Sequence, residues 1–190
     1  KNLVNKLSTN NFDDVIFEAT YLNKKHPEQE IFYNLLSLGY QAKGEYEKSI
    51  DLLEKALKKS KNNINFLNNL GLSYYKKKEY NPAEKYFLKV LEIKPNYINT
   101  LNNLAALYEE INHVEKSEDI LKKSIKINSE VIETNYNLAS LLQSIGKFVE
   151  AKTYYKKTLQ LNENFTKADR GISMLEKYNF SNDHINIMEK

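Results

Sequence analysis

Three asparagines recur at one spacing in this chain: Asn69, Asn103 and Asn137 lie 34 residues apart, and a leucine follows each of them. An amide side chain offers both a donor and an acceptor, so it can pair with a peptide bond through two hydrogen bonds. A row of such amides can hold an extended peptide with little regard for the peptide's own side chains. The chemistry that this pattern predicts is peptide binding.

The residue types needed for catalysis or metal binding are absent or scattered. The chain contains no cysteine, which excludes disulfides, thiolate zinc sites and a cysteine nucleophile. His26, His113 and His184 lie far apart, with no second ligand three or four residues away. No glycine-rich phosphate loop, nucleophile elbow or HExxH pattern occurs. We therefore predict no enzymatic activity, no metal and no cofactor.

Composition argues against nucleic-acid and membrane partners. Hydrophobic residues make up 41% and charged residues 28% of the 190 residues, which is typical of soluble folded proteins. The net charge of +3 arises from basic and acidic residues spread along the whole chain, so no basic block could attract nucleic acid. No apolar run approaches the roughly 18 residues that cross a bilayer, and the first residues lack a signal-peptide core. We predict a cytoplasmic protein, although an upstream signal could have been removed, because the chain begins with Lys1.

Helices must position the asparagines, and the helical patterns follow the same period. One set of patterns starts every 34 residues, at Phe12, Tyr46, Tyr80, Val114 and Phe148. Between them, residues 32–42, 66–76, 100–110 and 134–144 carry apolar residues at helical spacing. The connections are short, which forces antiparallel neighbours, and Gly44 and Gly146 suit the left-handed turn that ends a helix. Each period thus predicts a pair of helices.

Small residues mark the positions where two helices approach closely. They recur in alternate helices, each after a large apolar residue: Ser37, Gly71, Ala105, Ala139 and Ser173.

The pattern resembles the tetratricopeptide repeat, and residues 64–97 fit it best, with Leu67, Leu70-Gly71, Tyr74, Ala83, Phe87 and Pro95 in the family's places. The resemblance runs from Asn11 to about Lys177 and implies an all-α, right-handed α-solenoid of antiparallel helix pairs with a C-terminal capping helix. The units expected are a truncated first repeat (1–29, its second helix about 11–25), four full repeats (30–63, 64–97, 98–131 and 132–165), a capping helix (166–179) and a tail or the start of a further segment (180–190).

The resemblance also implies that the first helix of each repeat lines a concave, peptide-binding groove. The family's groove positions select Asn34, Asn68, Asn69, Leu72, Tyr75, Asn99, Asn102, Asn103, Tyr136, Asn137 and Ser140. A similar asparagine ladder occurs in the repeat arm of the transferases that put N-acetylglucosamine on proteins. Alternatively, asparagine beside the leucine is simply common in the family and is favoured by an AT-rich genome. No three consecutive units supply the Lys, Asn and Arg set that grips acidic chaperone tails, so docking of such tails is not expected.

The leading hypothesis is a scaffold that binds a protein or peptide segment in this groove. A second hypothesis follows from residues 168–189, which resemble the junction at which bacterial repeat proteins continue into a sulfotransferase domain. The chain would then be the substrate-recruiting arm of a larger transferase whose catalytic domain follows Lys190. A third hypothesis is a homodimer that forms through the terminal helices.

Overall fold

The chain folds into helices, and the computed structural model describes Leu3, Lys6 and residues 9–176. The helices are α1 (Phe12–Lys25), α2 (Glu30–Ala42), α3 (Tyr46–Lys59), α4 (Ile64–Lys76), α5 (Tyr80–Ile93), α6 (Ile98–Glu110), α7 (Val114–Ile127), α8 (Ile132–Ser144) and α9 (Phe148–Leu161). A further helix, α10, covers residues 166–176. We call α2, α4, α6 and α8 the first helices, and α3, α5, α7 and α9 the second helices. The second helices begin where the sequence pattern predicts, and the first helices begin two residues earlier than predicted.

Some predictions concern residues outside those ranges. They are most of the start of the truncated first repeat, the end of the capping helix, the tail with His184, and most of the stretch that resembles a transferase junction.

One backbone feature repeats with the 34-residue period. A residue with positive φ lies two positions before α1 and two positions before each second helix. These residues are Asn10 (59°), Gly44 (74°), Lys78 (64°), Asn112 (60°) and Gly146 (80°). The left-handed turns predicted at Gly44 and Gly146 are confirmed. Lys78 and Asn112 take the same conformation although a Cβ disfavours it, because the packing of each hairpin fixes the turn.

The chain divides into two compact units, Lys1–Thr100 and Leu101–Lys190. In the first unit, Val15, Ala19, Leu35 and Leu36 form one buried cluster. A second cluster contains Ile50, Leu53, Ala56, Phe66 and Leu70. Gly71 lets α4 and α5 approach closely, because a Cβ at this position would lie 2.7 Å from the ring of the fully buried Phe87.

The second unit has its own core, formed by Leu121, Leu138, Leu141 and Leu142 together with Tyr155 and the small residues around them. The close approach of α10 to this core occurs at Gly171, where a Cβ would lie 2.5 Å from Tyr155 Cζ. Ser173, expected from the sequence to be the small residue at the contact, is exposed. That expectation was wrong by two residues, because α10 presents Gly171 to the tyrosine ring.

The fold is thus all-α, with consecutive helices packed as pairs, as in an α-solenoid. Across residues 9–176, no helix has both the length and the apolar character that a membrane span requires.

Candidate binding surface

Two of the predicted groove asparagines are committed to hydrogen bonds inside the protein. In the first unit, Asn68 is 8% exposed and its Oδ1 accepts a 2.7 Å bond from Thr100 Oγ1. In the second unit, Asn102 Nδ2 donates to Thr134 Oγ1 at 2.9 Å, and Thr134 Oγ1 donates to Asn102 Oδ1 at 3.1 Å. Each threonine is fully buried and lies 32 residues after its asparagine. A ligand could use these two amides only at the expense of a buried hydrogen bond.

The neighbouring asparagine of the ladder in the first unit is held more loosely. Asn69 is half-buried, and its Nδ2 donates to Asn34 Oδ1 at 3.3 Å and to Ser37 Oγ at 3.4 Å. Both distances exceed the usual 2.7–3.2 Å range for N–H···O bonds, so these bonds are weak. The backbone is better fixed, since Gln41 Nε2 donates to the Asn69 carbonyl oxygen at 2.8 Å. The Asn69 amide can therefore exchange its partners for a ligand at little cost.

In the second unit, the corresponding asparagines are Asn103 and Asn137. Both are half-buried, and the leucines that follow them, Leu104 and Leu138, are 2% and 0% exposed. The buried leucine fixes the rotation of each helix, which leaves the asparagine at the edge of the core. Within the described residues, the Asn137 side chain makes no hydrogen bond.

The other predicted residues of the first unit are partly accessible. Leu72 and Tyr75 are half-buried and Asn99 is exposed. Lys76 Nζ lies 5.6 Å from the centre of the Tyr75 ring, and the ring of Tyr80 lies 6.3 Å away. Tyr75 thus adds an aromatic surface on α4, on the same side of the helix as Asn69 and Leu72.

A pocket of about 460 Å³ lies in the second unit, between α8, α9 and α10. Two of its lining residues, Tyr136 and Ser140, were predicted from the sequence. The ring of Tyr136 packs between those of Tyr155, at 6.0 Å, and Phe165, at 5.1 Å. The remaining lining residues are Gln143, Ser144, Tyr155, Lys167, Arg170, Gly171 and Met174.

Hydrogen bonds of the Tyr155 hydroxyl with Gln143 and Ser140 orient the polar side of this pocket. The Tyr155 hydroxyl donates to Gln143 Oε1 at 2.7 Å. Burial raises the pKa of Tyr155 to about 12, so the hydroxyl keeps its proton at neutral pH. Because Gln143 Oε1 is used in this way, the Gln143 amide hydrogens remain as donors.

Sequence reasoning missed the cationic part of the pocket. Residues 166–179 were expected to form a capping helix with no binding role, whereas the structure places Lys167 and Arg170 in the pocket wall. A signal was present in the sequence, because Arg170 is the single arginine in a chain that otherwise uses lysine. Residues 9–176, with Leu3 and Lys6, hold no cluster of His, Asp and Glu that could bind a metal.

Comparisons with known proteins identify the repeats. Family models described as tetratricopeptide repeat match residues 64–97, 86–119 and 132–165, and one described as TPR repeat matches residues 40–78. No curated protein matches the chain.

Solved structures share the fold. A thermophilic TPR protein of Thermus thermophilus has a TM-score of 0.82 at 15% identity and covers 91% of this chain and 94% of its own. The pilF protein of Pseudomonas aeruginosa has a TM-score of 0.76 at 20% identity, with 95% and 82% covered. The first TPR of Spaghetti (RPAP3), bound to the HSP90 peptide SRMEEVD, has a TM-score of 0.57 at 20% identity, with 59% and 89% covered. At these identities, the likeness concerns the fold alone.

Proposed function

We infer from the chain's membership of the tetratricopeptide repeat family that it is a protein-interaction scaffold. Models of this family together match more than half of its residues. In this proposal, the first helices bind an extended segment of a partner protein. Repeat arrays use such helix faces for binding because each repeat adds an equivalent contact surface beside the last.

The observation that carries this proposal is the contrast between neighbouring asparagines. Asn68 and Asn102 are locked in hydrogen bonds to buried threonines. Asn69 directly follows Asn68, and Asn137 occupies the position of Asn69 two repeats later. Both amides are partly accessible. Asn69 makes only weak hydrogen bonds, and Asn137 makes none among the described residues. An amide with spare donors and acceptors can pair with a peptide group, and a locked amide cannot.

A peptide ligand agrees with one structural relative, since the first TPR of RPAP3 is solved with a peptide of HSP90. This chain lacks the set of lysine, asparagine and arginine positions that we expect for chaperone-tail binding. We therefore propose a different partner segment, held mainly through its backbone, with modest affinity because a flexible peptide loses entropy on binding.

The test begins with a random peptide library selected on the full chain, which provides a ligand without knowledge of the natural partner. The affinity of the selected peptide is then measured for a variant with Asn69, Asn103 and Asn137 replaced by alanine. A control variant carries three alanine replacements at exposed asparagines outside the first helices: Asn62, Asn81 and Asn164. We expect the groove variant to bind about tenfold more weakly or worse, with unchanged helicity by circular dichroism, and the control to bind normally.

Equal affinity for the groove variant and the native chain would show that these asparagines do not contact the peptide. A library that yields no ligand would argue against peptide binding altogether.

A further inference from the structure

We propose that the pocket between α8, α9 and α10 binds an acidic segment of a partner protein, with a carboxylate on Arg170 and Lys167 and a neighbouring apolar side chain against Tyr136 and Met174. This inference rests on the proposed function and adds a chemical preference to it. It concerns one part of the surface, in the second unit.

The apolar part of the pocket is accessible to a ligand. Met174 is 57% exposed although it lies beside the core of the second unit. Tyr136 is half-buried and presents part of an aromatic ring to the same space. A volume of about 460 Å³ accommodates one large apolar side chain and adjoining backbone.

The charged side chains that line the pocket are both cationic, and the nearby carboxylates of Asp169 and Glu109 lie outside its lining. Lys167 and Arg170 are both exposed, and within the described residues neither forms an ion pair. Among the described residues of the second unit, three other lysines form ion pairs: Lys122 and Lys147 with Glu118, and Lys152 with Glu176. No acidic residue lines the pocket. Two free cations beside an apolar surface favour a ligand that carries carboxylates.

Arg170 differs chemically from the lysines that supply every other basic side chain of the chain. Its planar guanidinium can donate two parallel hydrogen bonds to one carboxylate, whereas a lysine ammonium acts as a point charge. Because the chain uses lysine everywhere else, its single arginine indicates a position where the guanidinium group itself matters. Arg170 lies in the wall of this pocket, where its guanidinium can reach a bound carboxylate.

The pocket also offers neutral donors for the ligand backbone. The Tyr155 hydroxyl fixes Gln143 by a 2.7 Å bond to Oε1 and leaves the Gln143 amide hydrogens for a carbonyl oxygen of the ligand. The Ser140 hydroxyl lines the same space and already hydrogen-bonds the Tyr155 hydroxyl. The site thus combines charge, an apolar surface and backbone recognition.

The chain's own C-terminal segment matches this pocket less well than an acidic partner does. Residues 177–190 contain Asp183 and Glu189 but also Lys177 and Lys190, so their formal charges cancel. An external segment with several carboxylates has the stronger electrostatic attraction.

The test uses three peptides in Gly-Ser flanks, each labelled at its N-terminus with an uncharged BODIPY dye and amidated at its C-terminus, so that the peptide side chains carry the only carboxylates. Their cores are Glu-Phe-Glu, Gln-Phe-Gln and Glu-Gly-Glu. Binding to the full chain is measured by fluorescence anisotropy at low and at physiological ionic strength, because exposed charges are screened by salt. We expect the Glu-Phe-Glu peptide to bind about tenfold more tightly than either of the others.

Variants then locate the site. Arg170→Gln should weaken binding of the Glu-Phe-Glu peptide about tenfold, and Arg170→Lys should recover only part of the loss because the fork is absent. Met174→Ser should remove the advantage of phenylalanine over glycine. Lys126→Gln, the same loss of charge at an exposed lysine of α7 outside the pocket, should change nothing.

Unchanged binding by Arg170→Gln, or equal binding of the glutamine peptide, would overturn the proposal. So would binding that appears only after Asp183→Asn and Glu189→Gln, because the chain's own tail would then be the occupant. Failure of all three peptides while a library-selected peptide still depends on Asn69, Asn103 and Asn137 would refute this inference and leave the proposed function standing. Failure of both kinds of peptide would refute the proposed function itself.

Discussion

Replacing Asn68 by alanine should destabilise the protein, although this residue was expected from the sequence to contact a ligand. The change removes the acceptor of a 2.7 Å hydrogen bond and leaves the hydroxyl of Thr100, which is 0% exposed, without that partner. A buried polar group left unsatisfied costs about 1–3 kcal/mol, so we expect the free energy of unfolding to fall by about 2 kcal/mol. Asn69→Ala is the matched control. It breaks only bonds of 3.3 and 3.4 Å and should cost less than about 0.5 kcal/mol.

The measurement is urea unfolding followed by circular dichroism, fitted with a nearest-neighbour model because repeats need not unfold in one step. Asn68→Ala, Thr100→Val and the double variant complete a double-mutant cycle. Their coupling energy should be about 1–2 kcal/mol, since the second change removes the hydroxyl that the first leaves stranded. Purely additive effects, or an equal loss of stability in the Asn69→Ala control, would refute the view that the Asn68 amide is structural.

Two further changes test the packing and the charges. Gly71→Ala places a Cβ 2.7 Å from the buried Phe87 ring, so overpacking should outweigh the gain in helix propensity and lower the stability by about 1–2 kcal/mol, measured by urea unfolding. Glu118→Gln should cost about 1 kcal/mol at neutral pH, because hydrogen bonds from Lys122 and Lys147 hold the pKa of Glu118 below its usual value. This stabilisation is present above the carboxyl's unfolded-state pKa and is lost as the pH falls through the lower folded-state pKa, so unfolding curves of native and variant should converge in acid.

The fold could be predicted largely because one period carries most of its information. An aromatic or apolar residue every 34 positions marks the start of each second helix, and Gly44 and Gly146 identify the turn before it. The same turn occurs at Lys78 and Asn112 without a glycine, so only the 34-residue spacing from Gly44 predicts it. The position of the close contact in α10 could not be fixed, since Gly171 and Ser173 are both small and two residues apart.

The candidate site was harder to predict, because the type of a side chain does not determine its hydrogen-bond partner. Asn68 and Asn69 are adjacent and chemically identical in the sequence, yet one is buried against Thr100 and the other is half-exposed. The threonine partner lies 32 residues further along the chain, so no local pattern pairs it with Asn68 rather than with Asn69. The repeat pattern identifies α10 only as a capping helix, so it does not indicate that Lys167 and Arg170 line a pocket.

The buried asparagine–threonine pair limits the order in which repeats can be joined. Residues 98–131 contain both Thr100, the partner required by the asparagine before it, and Asn102, which requires a threonine after it. If this repeat were duplicated in tandem, each asparagine and each threonine of these pairs would therefore still have its partner. Residues 132–165 supply Thr134 but carry Tyr136 at the asparagine position, and the small, fully buried Ala168 stands where the next threonine would be. Lengthening the array by gene duplication should thus succeed within its middle and fail if a copy is inserted after residue 165.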